Sequence, residues 1–220
     1  MVSVMRPART VAKVAIAAGV MLGLAGCEMD MGATGTSVDP ARRPVRAVTL
    51  PLSGVSVAGP SGYCVDPVSV RDSARGSFAL LGNCTGLSGR NNPALKGKTA
   101  VLTLSVAPPM TETEEFDPPS YEAYFASETG RRALSRSGSA KTVQLIESEA
   151  RGDMVLLHVR DSAPMTLRGQ GREYWRALFL LDGRLVTATA TPFAEAPMSG
   201  GQLRALLDRF VIELKRRNPS

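Results

Sequence analysis

The 220-residue sequence has a single histidine, His158, and only three cysteines. Protein metal sites draw several ligands from clustered side chains, and the chain has no Cys/His cluster. No serine stands in a G-x-S-x-G sequence, the turn that exposes the nucleophile of α/β-hydrolases. We therefore predict no metal ion, no cofactor and no identifiable catalytic residue. A Ser-His-Asp triad needs no fixed order along a chain, so an envelope hydrolase that uses His158 is an open alternative.

The sequence also lacks an apolar run long enough to cross a membrane comfortably. Residues 14–25 carry no charge, and such a run is about 18 Å long as a helix, whereas the hydrocarbon core of a bilayer is about 30 Å thick. Arg6, Arg9 and Lys13 precede it, and the first acidic residue is Glu28. A basic flank, a short apolar centre and a small-residue exit are typical of a secretory signal peptide.

The apolar run ends in L24-A25-G26-C27, which resembles the lipobox of bacterial lipoproteins: leucine, two small residues and cysteine. The resemblance implies cleavage between Gly26 and Cys27, a thioether link from Cys27 to diacylglycerol, and a further acyl chain, such as palmitate, on the new amino terminus. We therefore expect residues 1–26 to be a lipoprotein signal peptide. An ordinary signal peptide that contains a cysteine, or a short anchor helix, is the alternative.

A lipid on Cys27 would make the membrane the first partner of the protein. Each buried methylene contributes about 0.8 kcal/mol, and one acyl chain binds only marginally, whereas two or three chains hold a protein stably. We expect a periplasmic-side anchor in the cell membrane or the outer membrane. Glu28 and Asp30 follow the lipidated position, where acidic residues influence sorting in some bacteria, so the choice of membrane stays open.

The chain has little excess charge. Its formal net charge is +6, but residues 1–26 hold three of the 26 basic residues and none of the acidic ones, so the remainder has 23 basic and 20 acidic residues, or +3. This small excess predicts no nucleic-acid partner and is a weak argument for an anionic surface.

With Cys27 assigned to the lipid, Cys64 and Cys84 form an even pair in an oxidising compartment, which predicts a disulfide. Closing a loop of about twenty residues stabilises a fold by roughly 3 kcal/mol in the chain-entropy model. The alternative is a free nucleophilic thiol served by His158, because a reactive thiolate needs a nearby base or cation.

Composition divides the mature chain into a tether and one domain. Residues 27–46 have almost no apolar pattern and read as the lipidated cysteine followed by a flexible tether. Residues 47–220 have the size of a single domain and show no internal repeat.

The elements of this domain can be predicted from periodicity and turn chemistry. Residues 78–81 and 100–106 are expected strands, and two hairpins are expected around residues 151–153 and around Asp182-Gly183. A middle helix should follow an N-cap at Asp117 or Ser120. A C-terminal helix carries one apolar stripe, formed by Leu203, Leu206, Leu207, Phe210, Val211 and Leu214.

These elements predict an α+β fold in which an antiparallel sheet of about five to six strands carries the C-terminal amphipathic helix and the shorter middle helix. Their order resembles that of the PsbP-like superfamily, in which an antiparallel sheet carries a long closing helix. The resemblance implies a binding or assembly role more readily than a reaction.

Several side chains could carry chemistry, but each has a simpler interpretation. His158 shares a strand face with Met154 and Leu156, which favours a packed histidine. Tyr174 and Trp175 should lie on opposite faces of one strand, one in the core and the other at the surface. An acidic loop, expected to be solvated, contains Glu112, Glu114, Glu115 and Asp117. A glycine-containing loop that could approach an anion consists of Arg168, Gly169, Gln170, Gly171 and Arg172.

The sequence therefore favours a membrane-anchored, periplasm-facing lipoprotein with a non-enzymatic binding or assembly role and an envelope protein as partner. An envelope hydrolase or a thiol-dependent enzyme is the second hypothesis. A solute-binding accessory of a transporter is the third, and it would need a sizeable pocket.

Overall fold

The structure, a computed structural model, describes residues 43–89, 99–164 and 169–219. The expected signal peptide, the lipidation site Cys27 and most of the expected tether lie outside the described residues. The strands are β1 Ala47–Thr49, β2 Ser56–Ala58, β3 Tyr63–Val65, β4 Arg71–Ser73, β5 Gly76–Asn83, β6 Ala100–Pro109, β7 Val143–Arg151, β8 Met154–Asp161, β9 Glu173–Leu181 and β10 Arg184–Pro192. The α-helices are α1 Cys84–Leu87, α2 Pro118–Ala126, α3 Glu128–Leu134 and α4 Gly200–Arg217.

The fold is α+β, with antiparallel sheets and a C-terminal helix. Eight strands form the main sheet in the order β3-β5-β6-β10-β9-β8-β7, and β4 also pairs with β5. The prediction of five to six strands was too low. The two additional strands, β3 and β4, have three residues each, which is too short for an alternating pattern to be recognised. A separate two-stranded sheet joins β1 to β2.

The Asp-Gly turn forms the hairpin expected of it. Asp182 and Gly183 have φ angles of 48° and 67°, the left-handed conformation that a tight hairpin requires at both central positions. Arg184 pairs with Leu181 directly beside the turn, and the register continues along β9 and β10. This pairing places alternate residues of both strands on opposite faces of the sheet.

Helix α4 covers one face of the sheet. It begins at a capping box, in which the Ser199 hydroxyl accepts from the Gln202 backbone N–H and the Gln202 side chain accepts from the Ser199 backbone N–H. All six residues of the predicted apolar stripe are buried. They pack on a core that includes Leu102, Leu104 and Phe179. Lys215–Arg217 end the helix favourably for its dipole.

Helices α2 and α3 cover β7, β8 and β9 on the opposite face. Phe125 and Leu134 pack there against Val155, Leu157 and Tyr174, among others. Tyr174 and Trp175 therefore lie on opposite faces, as predicted, but both are buried, so the expectation that one is at the surface was wrong. The reason is that helices cover both faces of the sheet at this strand.

The edge strand β7 is protected by α2. The Glu122 carboxylate accepts hydrogen bonds from the Ala150 backbone N–H and the Ser148 hydroxyl, each at 3.0 Å. A bulge between Leu145 and Glu147 also interrupts the ladder. Side-chain cover and bulges both prevent a further strand from adding to an edge.

Candidate functional site

The single histidine lies in a packed position between β9 and α4. His158 on β8 pairs across the ladder with Trp175 on β9, and only 9% of its surface is exposed. The two rings are stacked, with centroids 4.7 Å apart and planes 8° from parallel. A Cβ added to Gly200 would lie 3.1 Å from the His158 Cε1 atom, so the first turn of α4 closes over the imidazole.

One carboxylate faces the imidazole. The His158 Nε2 atom lies 3.5 Å from the Glu173 Oε2 atom. Glu173 also accepts from Arg160, whose Nε donates at 2.8 Å and whose Nη2 makes a second contact. Within the described residues, Nε2 makes no hydrogen bond of standard geometry. The imidazole of His158 therefore contacts Trp175, Glu173 and the start of α4, and none of these supplies a nucleophile.

A second neighbour of the Trp175 indole is cationic. The guanidinium carbon of Arg204 on α4 lies 4.6 Å from the centre of an indole ring, a cation–π distance. Arg204 also contacts three carboxylates: Glu149 at 2.8 Å, Asp208 at 3.5 Å and Glu147 at 3.7 Å. This network joins α4 to β7 and β9, and we interpret it as a structural contact that holds the helix on the sheet.

A cleft opens at the far end of the β9–β10 hairpin and shares Glu173 with the histidine. Its volume is 600 Å³. The floor is a short antiparallel pairing in which the Gly171 N–H donates to the Pro192 carbonyl at 2.7 Å. A Cβ on Gly171 would come within 3.0 Å of Pro192, so glycine permits this approach. The lining residues are Gly169, Gln170, Gly171, Arg172, Glu173, Pro192, Phe193, Ala194, Pro197 and Met198.

The lining combines apolar surface with one charge of each sign. Phe193 and Met198 supply the large apolar contacts, and Arg172, Glu173 and Gln170 supply the polar ones. Ligand sites are typically clefts of about 300–1,000 Å³ with this mixture. The cleft is therefore the candidate ligand site of the domain, and the glycine-containing loop of the sequence forms part of it. Arg168 lies outside the described residues.

Cys64 and Cys84 lie at disulfide-bonding distance. Their sulfur atoms are 2.04 Å apart and their Cα atoms 4.9 Å apart. Cys64 on β3 pairs with Gly82 on β5, and Cys84 follows directly after β5. His158 stands five strand spacings away, about 24 Å, because β5, β6, β10 and β9 lie between β3 and β8. The geometry thus argues against a thiol nucleophile served by His158.

Two of the four carboxylates in the acidic loop, those of Glu114 and Asp117, accept hydrogen bonds from nearby residues of the chain. Glu114 accepts hydrogen bonds from the Thr111 backbone N–H and hydroxyl, at 2.7 and 3.0 Å. These bonds hold the pKa of the Glu114 carboxyl below its ordinary value. Asp117 is the N-cap of α2 and accepts from the Ser120 N–H. Glu112 and Glu115 are exposed, in keeping with a solvated loop.

The sequence did not reveal a buried carboxylate at the end of β8. Asp161 is fully buried and accepts from the backbone N–H groups of Arg136 and Ala163, at 2.8 and 2.9 Å. Burial opposes its ionisation, but these bonds, a Thr142 hydroxyl and the Arg136 charge outweigh burial and lower the pKa of Asp161. The Arg136 Nε atom lies 3.4 Å from the Asp161 Oδ2 atom and forms a salt bridge with it. No sequence signal distinguishes this aspartate from one at a strand end in solvent.

Among residues 43–89, 99–164 and 169–219, no three His, Cys, Asp or Glu side chains are grouped so that they could hold a metal ion. Within the same part of the chain, no helix has the length and apolar character needed to span a bilayer.

Comparison with known proteins identified no relative: no protein-family model, no curated protein and no solved structure matches the chain.

Proposed function

We propose that the chain is a bacterial lipoprotein, held on the periplasmic side of a membrane by lipid on Cys27, whose α+β domain binds another envelope component without catalysing a reaction. The observation that carries the proposal is L24-A25-G26-C27 behind a basic flank and a twelve-residue uncharged run. A disulfide-linked cysteine pair supports it, because such pairs persist in oxidising compartments outside the cytoplasm.

The binding role is supported by the contacts of His158 and by the cleft. Within the described residues, the imidazole contacts Trp175, Glu173 and Gly200, and no serine or threonine hydroxyl hydrogen-bonds to it. A hydrolase that uses His158 would need such a nucleophile within about 3 Å. The nearby cleft instead offers apolar and polar contacts suited to a ligand or a partner segment.

The architecture supports a finer proposal on the fold. The antiparallel sheet carries a long closing helix of 18 residues, α4, and two shorter helices on the opposite face. We propose on this basis that the domain is PsbP-like in architecture, as the order of elements in the sequence suggests. The resemblance favours binding or assembly, although a fold alone does not determine a function.

The cleft favours one alternative function, that of a solute-binding accessory protein for a transporter. Its volume of 600 Å³ lies in the range of small-molecule sites, and Arg172 and Glu173 could orient a polar solute. Native mass spectrometry of the protein purified from detergent-solubilised membranes distinguishes the two functions. A co-purifying small molecule supports the accessory protein, and a co-purifying polypeptide supports the assembly role.

The binding proposal is tested by affinity capture of the tagged mature protein from detergent-solubilised membranes. Phe193→Ala removes the largest apolar side chain of the cleft, and we expect it to reduce recovery of the bound component. Ile212→Ala is the matched control, because Ile212 is 64% exposed on the outer side of α4 and does not line the cleft. Equal recovery with both variants would place binding elsewhere, and substrate turnover that His158→Phe abolishes would contradict a non-enzymatic role.

A further inference from the structure

Four exposed arginines and three exposed apolar side chains occur together near the start of the described chain. We call them the N-terminal edge. The arginines are Arg43, Arg46, Arg71 and Arg75. The apolar residues are Val45, Leu52 and Val68, which are 38%, 60% and 49% exposed. They account for three of the seven exposed large hydrophobic residues of the described chain.

Backbone and side-chain hydrogen bonds hold these residues against the same edge of the sheet. Val45 exchanges two backbone hydrogen bonds with Val65 of β3, at 3.1 and 2.8 Å. The Arg71 guanidinium donates to the Val68 carbonyl at 2.8 Å, so it folds back over the turn that joins β3 to β4. The Leu52 N–H donates to Asp72 of β4 at 2.8 Å. Val45, Arg71 and Leu52 are therefore tied to β3, to the turn that follows it and to β4, along the outer edge of β5.

The positive charge of this edge is only partly offset by carboxylates. None of its four arginines forms a salt bridge with another residue of the described ranges, whereas Arg132, Arg151, Arg160 and Arg204 each do. Asp66 accepts from the Val68 N–H, and Asp72 accepts from the Ser77 hydroxyl and from the Leu52 N–H. These donors are neutral, so the two carboxylates keep their charge, and four arginines with two aspartates give the edge a formal charge of 4 − 2 = +2.

The surface lies where the chain enters the domain. Cys27 precedes Arg43 by sixteen residues. A segment of this length spans at most about 55 Å when fully extended, which limits the distance between Cys27 and Arg43. If Cys27 carries lipid, Arg43 therefore lies within about 55 Å of the bilayer surface. Confinement raises the effective concentration of even a weak surface contact.

We propose that the N-terminal edge docks on anionic phospholipid. Arginine guanidinium groups would contact headgroup phosphates, and the exposed valine and leucine side chains would enter the interface between headgroups and acyl chains. A basic residue near an anionic bilayer contributes about a fivefold change in the binding constant, so the net charge of +2 corresponds to about a 25-fold preference for an anionic surface. The proposal rests on the lipid anchor for proximity and adds orientation and lipid preference.

Hydrogen exchange of the mature protein, reconstituted in nanodiscs, tests the proposal. One set of nanodiscs contains phosphatidylcholine alone, and the other contains phosphatidylcholine with phosphatidylglycerol. We expect slower exchange in peptides from residues 66–76 with the anionic lipid only, and we expect 0.5 M salt to abolish the difference because it shortens the screening length.

Arg71→Gln/Arg75→Gln should reduce the binding constant of the surface about 25-fold and remove this protection. The control, Arg132→Gln/Arg216→Gln, makes the same charge change at two exposed arginines of the helices and should leave protection intact. Equal exchange on both lipids, or equal loss with both double variants, would overturn the proposal. Protection by soluble polyglutamate but not by anionic lipid would indicate an acidic protein partner instead, and would also overturn it.

The intact mass of the same sample separates this proposal from the lipoprotein proposal. If the protein is lipidated but its hydrogen exchange does not depend on the lipid, the anchor proposal stands and the docking proposal fails. If the protein is unmodified, salt-sensitive sedimentation with anionic vesicles can still occur. Loss of this sedimentation in the Arg71/Arg75 variant would then support the docking proposal and leave the anchor proposal wrong.

Discussion

The imidazole of His158 and the indole of Trp175 form a stacked pair across β8 and β9, with their ring centres 4.7 Å apart. Arg204 packs on the same indole, and the start of α4 closes over the imidazole. The only histidine and the only tryptophan of the chain thus join the closing helix to the sheet. The pair therefore has a structural role, which substitution of His158 tests.

His158→Ala should destabilise the domain by about 2 kcal/mol, because it removes a buried ring and the stacking on Trp175. His158→Phe keeps a stacked ring and should cost less than about 1 kcal/mol. Urea unfolding followed by the fluorescence of Trp175, the single tryptophan, measures both values. Equal destabilisation by the two variants would show that the contact between Nε2 and Glu173 matters more than the stacking.

Gly130→Ala should destabilise the corner between α2 and α3 by about 3 kcal/mol or prevent its native packing. A Cβ at this position would lie 2.0 Å from the Tyr124 carbonyl oxygen, so the backbone must move. Gly201→Ala is the matched control, since a Cβ there meets nothing within 4 Å on the first turn of α4. We expect this control to be neutral or to stabilise slightly. Thermal melts of the two variants provide the comparison, and similar melting temperatures would contradict it.

Asn218→Ala should cost about 2–3 kcal/mol. The Asn218 side chain accepts from the Ser56 N–H at 2.8 Å and donates to the Ser56 and Leu214 carbonyls at 2.9 and 2.7 Å. Two of these hydrogen bonds fasten β2 to the end of α4 and the third caps α4 itself, and each is worth about 1 kcal/mol. Asn218→Asp keeps only the acceptor, so its unfolding free energy in urea should fall between those of wild type and Asn218→Ala. A neutral effect of Asn218→Ala would contradict the assignment.

Asp161→Asn should cost about 3 kcal/mol at neutral pH, because it leaves Arg136 without its buried partner. The pKa of Asp161 is lower in the folded protein than its ordinary value of 3.8. Its stabilisation is therefore complete above pH 3.8 and is lost as pH falls through the folded pKa. The stability difference between wild type and Asp161→Asn should narrow below pH 3.8 in urea titrations. A constant difference down to pH 2 would contradict this linkage.

Glu213 is a surface carboxylate whose pKa is also lowered, and it serves as the comparison for the buried Asp161. Hydrogen bonds from Arg216 and Arg217 lower the pKa of Glu213 to about 2, but the group lies on the surface of α4, where solvent screens it. Glu213→Gln should therefore cost less than about 1 kcal/mol, an effect that 1 M salt removes. The Asp161 effect should persist in salt, because that carboxylate is fully buried.

The elements with strong local signals could be predicted from the sequence. The apolar stripe of α4 and the Asp182-Gly183 turn each specify one structure through short-range chemistry. The short strand β3 could not be predicted, because its three residues form a strand only through pairing with β5. The second buried face of the sheet was also missed, since the covering helices α2 and α3 have no strong amphipathic pattern of their own.

The candidate site was predictable only in part. The position of His158 on the α4 face follows from strand alternation, but its contacts with Glu173 and Gly200 depend on β9 and α4, which are distant in sequence. The cleft is likewise built from two segments that meet at the end of a hairpin. The N-terminal edge could not be predicted from composition, because its four arginines are a small part of the 26 basic residues and are separated in sequence, and β3 and β4 meet β5 only in the fold.

The intact mass of the mature protein, purified from bacterial membranes, tests the lipoprotein assignment most directly. We expect a chain that begins at Cys27 and carries diacylglycerol with an additional acyl group. We expect Cys27→Ser either to leave residues 1–26 uncleaved or to release the protein into the soluble fraction. A mature chain with an unmodified Cys27, or one that retains residues 1–26, would contradict the account.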